Sequence, residues 1–246
     1  MFTNVKYKLF TFVNQKKAMD YLQLATQYLE SKLKGRYIHL DTILPILESL
    51  NSDFEITEIG KSVQEREIYQ VKTGTGKTKI LMWSQMHGNE STTTKGLFDF
   101  FNFLQSDNEI ANRIKNEYTL LCIPMLNPDG AFLYTRENAN TIDLNRDAFN
   151  ATQPEMQVLH SVCKSFQPDY CYNLHDQRTI FGTEGFNLPA TVSFLSPAFN
   201  EEREYNDVRL KAIHIINKMN NALQQYIPNQ VGRFDDSYNV NCTGDY

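Results

Sequence analysis

The chain has 246 residues but only four cysteines, Cys122, Cys163, Cys171 and Cys242, and no two of them stand in CxxC spacing. Thiols scattered in this way read as ordinary buried residues, with pairing left open. A basic excess is also missing. Against 24 Lys and Arg stand 29 Asp and Glu, for a formal net charge of −5. Binding the phosphate backbone calls for clustered Lys and Arg, so nucleic acid is not an expected partner. No apolar run approaches the roughly 18 residues of a membrane helix, so no membrane partner is expected. Eleven Gly and eight Pro are too few for a collagenous or linker protein. The apolar patch Leu9 to Val13 near the start is shorter than the about 7–15 residues of a secretory h-region, and no small-residue cleavage site follows. The expected location is the cytoplasm. Repeats and low-complexity segments are absent.

What is present alternates between helical and strand patterns. Met19, Leu22, Ala25, Leu29 and Leu33 form a helical stripe over Lys17 to Leu33. Asp41 is placed to cap a helix over Thr42 to Leu50, with Pro45 tolerated in its first turn. Phe54 to Ile59 and Glu67 to Lys72 read as strands, and Lys79 to Met86 as a nearly unbroken apolar strand. A helix over 91–105, a strand from Tyr118 to Leu126, a helix from Pro154 to Phe166 and a strand from Asp169 to Leu174 follow. Thr191 to Leu195 reads as a further strand and Glu201 to Tyr226 as a long helix. Apolar strands separated by helices indicate α/β, a mostly parallel mixed sheet flanked by helices. Residues 1–40 read as an N-terminal helical segment and residues 41–246 as one catalytic domain.

The segment GTGKT at 74–78 imitates the end of a phosphate-binding loop, but the first glycine of GxxxxGK[ST] would fall on Val71. A hairpin turn is expected there. Ligands in α/β folds gather beyond the carboxyl ends of the strands. Those ends carry His87-Gly88-Asn89-Glu90, Asn127-Pro128-Asp129-Gly130 and His175-Asp176. Two histidines and a carboxylate are the protein ligands of one class of catalytic zinc site, with the fourth position open to water. Gly88 would let the backbone pass close to such an ion, and Asp176 could orient an imidazole. Taken alone, His87 and Glu90 could equally serve as capping groups of the next helix. His39, His160 and His214 read as surface or satisfied core residues.

The stretch NPDGAFLYTRENANTIDLNR, from Asn127 to Arg146, reads as irregular and too polar for core. It holds Arg136 and Arg146, whose planar forks suit a carboxylate or a developing oxyanion. Together, HGNE, NPDG, the Arg136 position, DLNR and the later LH resemble the zinc metallocarboxypeptidase family. IGKSV at 59–63 with Arg66 resembles the segment that precedes the zinc strand in that family. The resemblance spans about residues 36 to 246, and the ordered combination is far more specific than any single motif. It implies one zinc ion on His87, Glu90 and His175, with Arg136 as the oxyanion-polarising arginine. Asn145 and Arg146 match the pair that holds the substrate's terminal carboxylate, and Tyr238 matches the tyrosine that closes over substrate. The implied activity is hydrolysis of a C-terminal peptide bond, and the implied partner is a peptide or small amide with a free carboxylate.

Two departures from the family pattern bear on this expectation. Asn89 stands where peptidases of the family often carry arginine, and HGNE is equally at home in related zinc acylases that act on N-acyl amino acids. The family's general-base glutamate lies on a strand beyond the region resembling GDY, whereas this sequence stops at Tyr246. Glu184, Glu201, Glu202 and Glu204 are not in the matching place. Read as a whole polypeptide, the sequence is expected to lack its last strand and to bind zinc with strongly reduced activity. The alternatives are an acylase and a non-catalytic module that binds carboxylates or metal.

Overall fold

In the computed structural model, which describes residues 21–234 apart from 179 and 184, seven α-helices, seven strands and one 3-10 turn follow one another. They are α1 (Tyr21–Gln27), α2 (Leu40–Leu47), β1 (Phe54–Lys61), β2 (Glu67–Thr73), β3 (Thr78–Ser84), α3 (Thr92–Leu104), α4 (Glu109–Glu117) and β4 (Tyr118–Ile123). Then come α5 (Pro128–Leu133), a 3-10 turn (Leu144–Arg146), α6 (Pro154–Phe166), β5 (Tyr170–Leu174), β6 (Val192–Phe194), α7 (Asp207–Leu223) and β7 (Val231–Arg233). Five strands form the main sheet in the order β1-β2-β4-β3-β5. β3 is parallel to β4 and β5, while β2 is antiparallel to β1 and β4. Only β2 therefore runs against the other four, as expected for a mostly parallel mixed sheet.

The alternation along β4 shows why both sheet faces must be covered. Leu120 and Cys122 join Ile43, Leu47, Leu97, Phe98 and Phe101 in one buried cluster under α2 and α3. Leu121 and Ile123, on the other face, join Leu81, Trp83, Met156 and Leu159 under α6. Successive strand residues point to opposite faces, so an unbroken apolar run can end only in such a three-layer arrangement. The described part of the N-terminal segment lies against α3. Leu33 and Ile38 are buried in its cluster, and the Glu30 amide donates to Asp99 at 2.6 Å. None of the described helices is long and apolar enough to cross a membrane.

Several expectations change. Asp41 lies inside the first turn of α2, whose N-cap position is His39. The mainly polar helix α4 is an addition to the expected elements; its short apolar face is Ile110, Ala111 and Ile114, with Ala111 buried and Ile114 packed on the core. β6 pairs in parallel with β7 in a separate two-stranded sheet. The 74–76 turn is not a hairpin, because β4 lies between β2 and β3. The turn instead crosses the end of β4. The Thr75 amide donates to the Lys115 carbonyl at 2.8 Å and that of Gly76 to the Tyr118 carbonyl at 3.2 Å. A Cβ at Gly76 would collide with the Glu117 main chain, which is why this position needs glycine. Cys122 is buried and Cys163 half-buried, but Cys171 is exposed on β5 rather than part of the core; all three are free thiols.

Candidate metal centre

The carboxyl ends of β3, β4 and β5 open onto one rim, and each leads into a segment with a different task. After β3, Gln85 adopts a left-handed backbone conformation, with φ of 49°, which costs a non-glycine residue on the order of 1 kcal/mol. Its buried side chain secures the bend. Gln85 Nε2 donates to the carbonyls of Ile38 (3.0 Å) and Gly88 (2.8 Å), and its Oε1 accepts from the Thr94 hydroxyl (2.9 Å). The bend delivers His87, only 1% exposed, to the rim. Gly88 meets a close backbone contact of its own. A Cβ on it would run into the main chain of Gly130 and Ala131, so HGNE and NPDG touch backbone to backbone.

After β4, the stretch expected to be irregular and solvated contains α5 and several buried polar residues, Asn127, Asp129 and Asn138 among them. Asn127 caps α5 by accepting from the Gly130 amide at 2.8 Å. Asp129 is a tether rather than a ligand. It accepts from the Ser62 hydroxyl (2.8 Å) and the Gln64 amide (2.9 Å) and is paired with Arg66. This contact explains why the IGKSVQER segment belongs with NPDG: the turn joining β1 to β2 is fastened to the loop after β4.

The donors converge on one point. His87 Nδ1 lies 3.0 Å from Glu90 Oε1 and 3.1 Å from His175 Nδ1, and His175 Nδ1 lies 2.8 Å from Glu90 Oε2. Among the described residues, these three are the one group able to present its ligand atoms together to a metal ion. Donors placed tetrahedrally about 2.0–2.1 Å from one zinc ion would be about 3.3 Å apart, so the set fits with a small expansion. Two imidazole nitrogens and a carboxylate also match zinc's chemical preference.

The electrostatics is arranged for the same end. Asp143 Oδ1 lies 3.1 Å from His87 Nε2. A carboxylate can only accept there and the Arg136 guanidinium can only donate to Nδ1, so the tautomer that satisfies both has its proton on Nε2 and presents the Nδ1 lone pair to the centre. Burial by itself would lower the His87 pKa, but the carboxylates of Asp143 and Glu90 outweigh it and the net direction is upward. Burial likewise opposes ionisation of Glu90, yet His175 and His87 hold its carboxyl well below the usual carboxylate range. Asp143 follows the same pattern: burial is overcome by His87 and Arg136, and its pKa falls well below the usual range. Arg136 completes the group, with Nε donating to Asp143 Oδ2 (3.0 Å) and Nη1 standing 3.1 Å from His87 Nδ1 and 3.3 Å from Glu90 Oε1.

Asn145 and Arg146 follow Asp143 on the 3-10 turn, where Asp143 Oδ1 accepts the Asn145 amide at 2.9 Å. The Asn145 main chain is thereby tied to Asp143, and Arg146, next along the turn, is exposed. Tyr238 and Glu184 lie outside the described residues. Glu201, Glu202 and Glu204 are exposed, and among the described residues the carboxylates in hydrogen-bond contact with the cluster's histidines are Glu90 and Asp143. The Asp176 carboxylate bonds the first residue of α3, not an imidazole nitrogen. The other histidines have structural surroundings: His39 packs edge-on against Phe132, His160 Nε2 lies 2.6 Å from the Ala148 carbonyl, and His214 is exposed on α7.

The sequence profile of the zinc carboxypeptidase family matches residues 43–167, half of the chain. The protein belongs to the zinc carboxypeptidase family. Carboxypeptidase 2 of Trichophyton rubrum is 25% identical over 100 residues, 40% of this chain and 19% of that protein. Cytosolic carboxypeptidase 6 of Mus musculus is 27% identical over 136 residues, 51% of this chain and 25% of that protein. The matched stretches therefore span only about a fifth to a quarter of these relatives' length. Among solved structures, carboxypeptidase A from Helicoverpa armigera aligns with a TM-score of 0.67 at 18% identity, covering 92% of this chain and 68% of that one. The metallo-carboxypeptidase from Burkholderia cenocepacia aligns at 0.64 and 16%, covering 83% and 54%. At such identities the structural likeness shows the shared zinc carboxypeptidase fold. The profile ends before His175, so the place of that residue in the cluster rests on the geometry.

Proposed function

We propose that the protein hydrolyses the C-terminal amide bond of peptides at a single zinc ion held by His87, Glu90 and His175. The convergence of His87 Nδ1, Glu90 and His175 Nδ1 carries this reading. Zinc in such a set acts as a Lewis acid toward a carbonyl and toward water. The protein's own residues supply orientation and charge around it. Asp143 keeps His87 in the tautomer that offers Nδ1. Arg136 is anchored through Nε and brings Nη1 to the same centre, within reach of an oxygen that gains negative charge there. Asn145 and Arg146, two and three residues after Asp143, are placed to receive a terminal carboxylate, for which a guanidinium fork is suited.

Metal analysis of the purified chain and of His175→Ala tests the centre. About one zinc per chain is expected, with loss in the variant, and unchanged zinc in His175→Ala would refute the ligand set. Blocked dipeptides with a free or an amidated C terminus test the clamp. Hydrolysis confined to the free acid supports the reading, whereas equal hydrolysis of the amide would remove Asn145 and Arg146 from it.

A further inference from the structure

The two histidines of the centre are not secured alike. His87 has Asp143 on the far side of its ring. Among the described residues the His175 ring meets only His87 and Glu90, both through Nδ1. Among the described residues no carboxylate or carbonyl meets its other nitrogen, so there the support for the ring comes from the main chain that carries it.

That main chain is fastened by the next residue. Asp176 Oδ1 accepts the Thr92 amide at 2.8 Å and Oδ2 accepts the Thr92 hydroxyl at 2.9 Å. The Asp176 amide donates to Glu90 Oε2 at 3.3 Å. Thr92 opens α3, two residues after Glu90. Ser91 occupies the N-cap position and could cap this helix locally, yet it makes no side-chain cap bond and donates its hydroxyl to the Arg36 carbonyl instead. The exposed first amide of α3 is satisfied from a different strand end, by the neighbour of a metal-site histidine.

The next two threonines extend the contact. The Thr93 hydroxyl is 3.2 Å from the Leu174 carbonyl and 2.7 Å from Ser84 Oγ. The Thr94 hydroxyl is 2.9 Å from both Gln85 Oε1 and the Pro124 carbonyl. One helical turn thus touches the ends of β3, β4 and β5.

From this geometry we infer that Asp176 is a positioning residue for the metal centre. By clamping the end of β5 to the first turn of α3, it sets the distance between His175 and Glu90. The inference rests on the proposed zinc site. Because Asp176 acts through the main chain, its removal should alter coordination geometry as well as fold stability.

The test measures zinc affinity by chelator competition and the visible absorption of the cobalt(II)-substituted chain, alongside melting of the metal-free protein. Asp176→Ala is expected to weaken zinc binding about 10- to 100-fold and to change the cobalt bands. Thr92→Val, which deletes one of the two bonds, should shift both readouts in the same direction by less. The double variant should be no worse than Asp176→Ala alone, because both changes break the same clamp. An Asp176→Ala chain that melts earlier but keeps wild-type zinc affinity and cobalt bands would reduce Asp176 to an ordinary helix cap and overturn the inference. Should that variant not fold, Asp176→Asn and Thr92→Val decide, and wild-type values in both overturn it. A wild-type chain that binds no zinc would instead refute the metal-centre reading itself.

Discussion

The loop after β3 and the loop after β5 bring their histidines to the same point by opposite means. On the β3 side a buried histidine is braced from several directions: Gln85 secures the bend, Gly88 rests on Gly130, and Asp143 holds the His87 ring. On the β5 side His175 is half-buried, its ring has no outer partner among the described residues, and main-chain and helix-cap contacts fix it. Among the described residues, β5 is one of the two edge strands of the five-stranded sheet. A metal ion would bridge a rigid, preassembled half-site and a half-site that depends on how one strand end is tied down. The rigid half should dominate stability, while both should be needed for metal.

Substitutions can break this contrast, beginning with the most damaging. Gly88→Ala drives a methyl into the main chain of α5. It should cost about 3 kcal/mol or more, read as a large loss in the thermal melt, whereas no change on the β5 side should approach that. His87→Ala and His175→Ala should both abolish stoichiometric zinc. In the metal-free protein, however, His87→Ala should lose about 1–3 kcal/mol by stranding buried polar partners, and His175→Ala less than about 1 kcal/mol. Equal losses in denaturant melts would end the distinction. Asp143→Asn should weaken zinc about 10- to 100-fold by chelator competition, since the amide can no longer be relied on to accept from His87 Nε2. Least of all, Ile180→Ser, at a side chain 79% exposed beyond the β5 loop, should stay within about 0.5 kcal/mol and leave zinc affinity unchanged.

On both sides the strands and the metal ligands are more legible in the sequence than the groups that support them. Unbroken apolar strands indicate the sheet, and two strand ends, one carrying His87 with Glu90 and the other His175, indicate the centre, because those signals are local. What escaped depends on residues far apart. Asp143 carries no mark of its own inside DLNR, and its contact with His87 spans 56 residues. The bond of Asp176 to Thr92 spans 84 residues, so the sequence suggests the obvious neighbour, an imidazole, and not the helix end. Polar Asn138 and Asp129 disguised a buried loop as a solvated one, since each is satisfied by partners brought in from elsewhere. The parallel pairing of β6 with β7 joins two three-residue strands nearly forty residues apart, too short for any periodic pattern to announce.

The Asp129 tether has a consequence for anyone reading a mutational screen of this protein. Ser62, Gln64 and Arg66 belong to the turn between β1 and β2 and have no contact with the metal-site histidines, yet they grip the loop whose Gly130 supports Gly88. Activity scores mapped onto the linear sequence would show a second sensitive island around residue 62, well ahead of the metal-binding motif. Its profile should be that of an architectural strut: graded, temperature-dependent losses, in contrast to the all-or-none losses expected at the ligands.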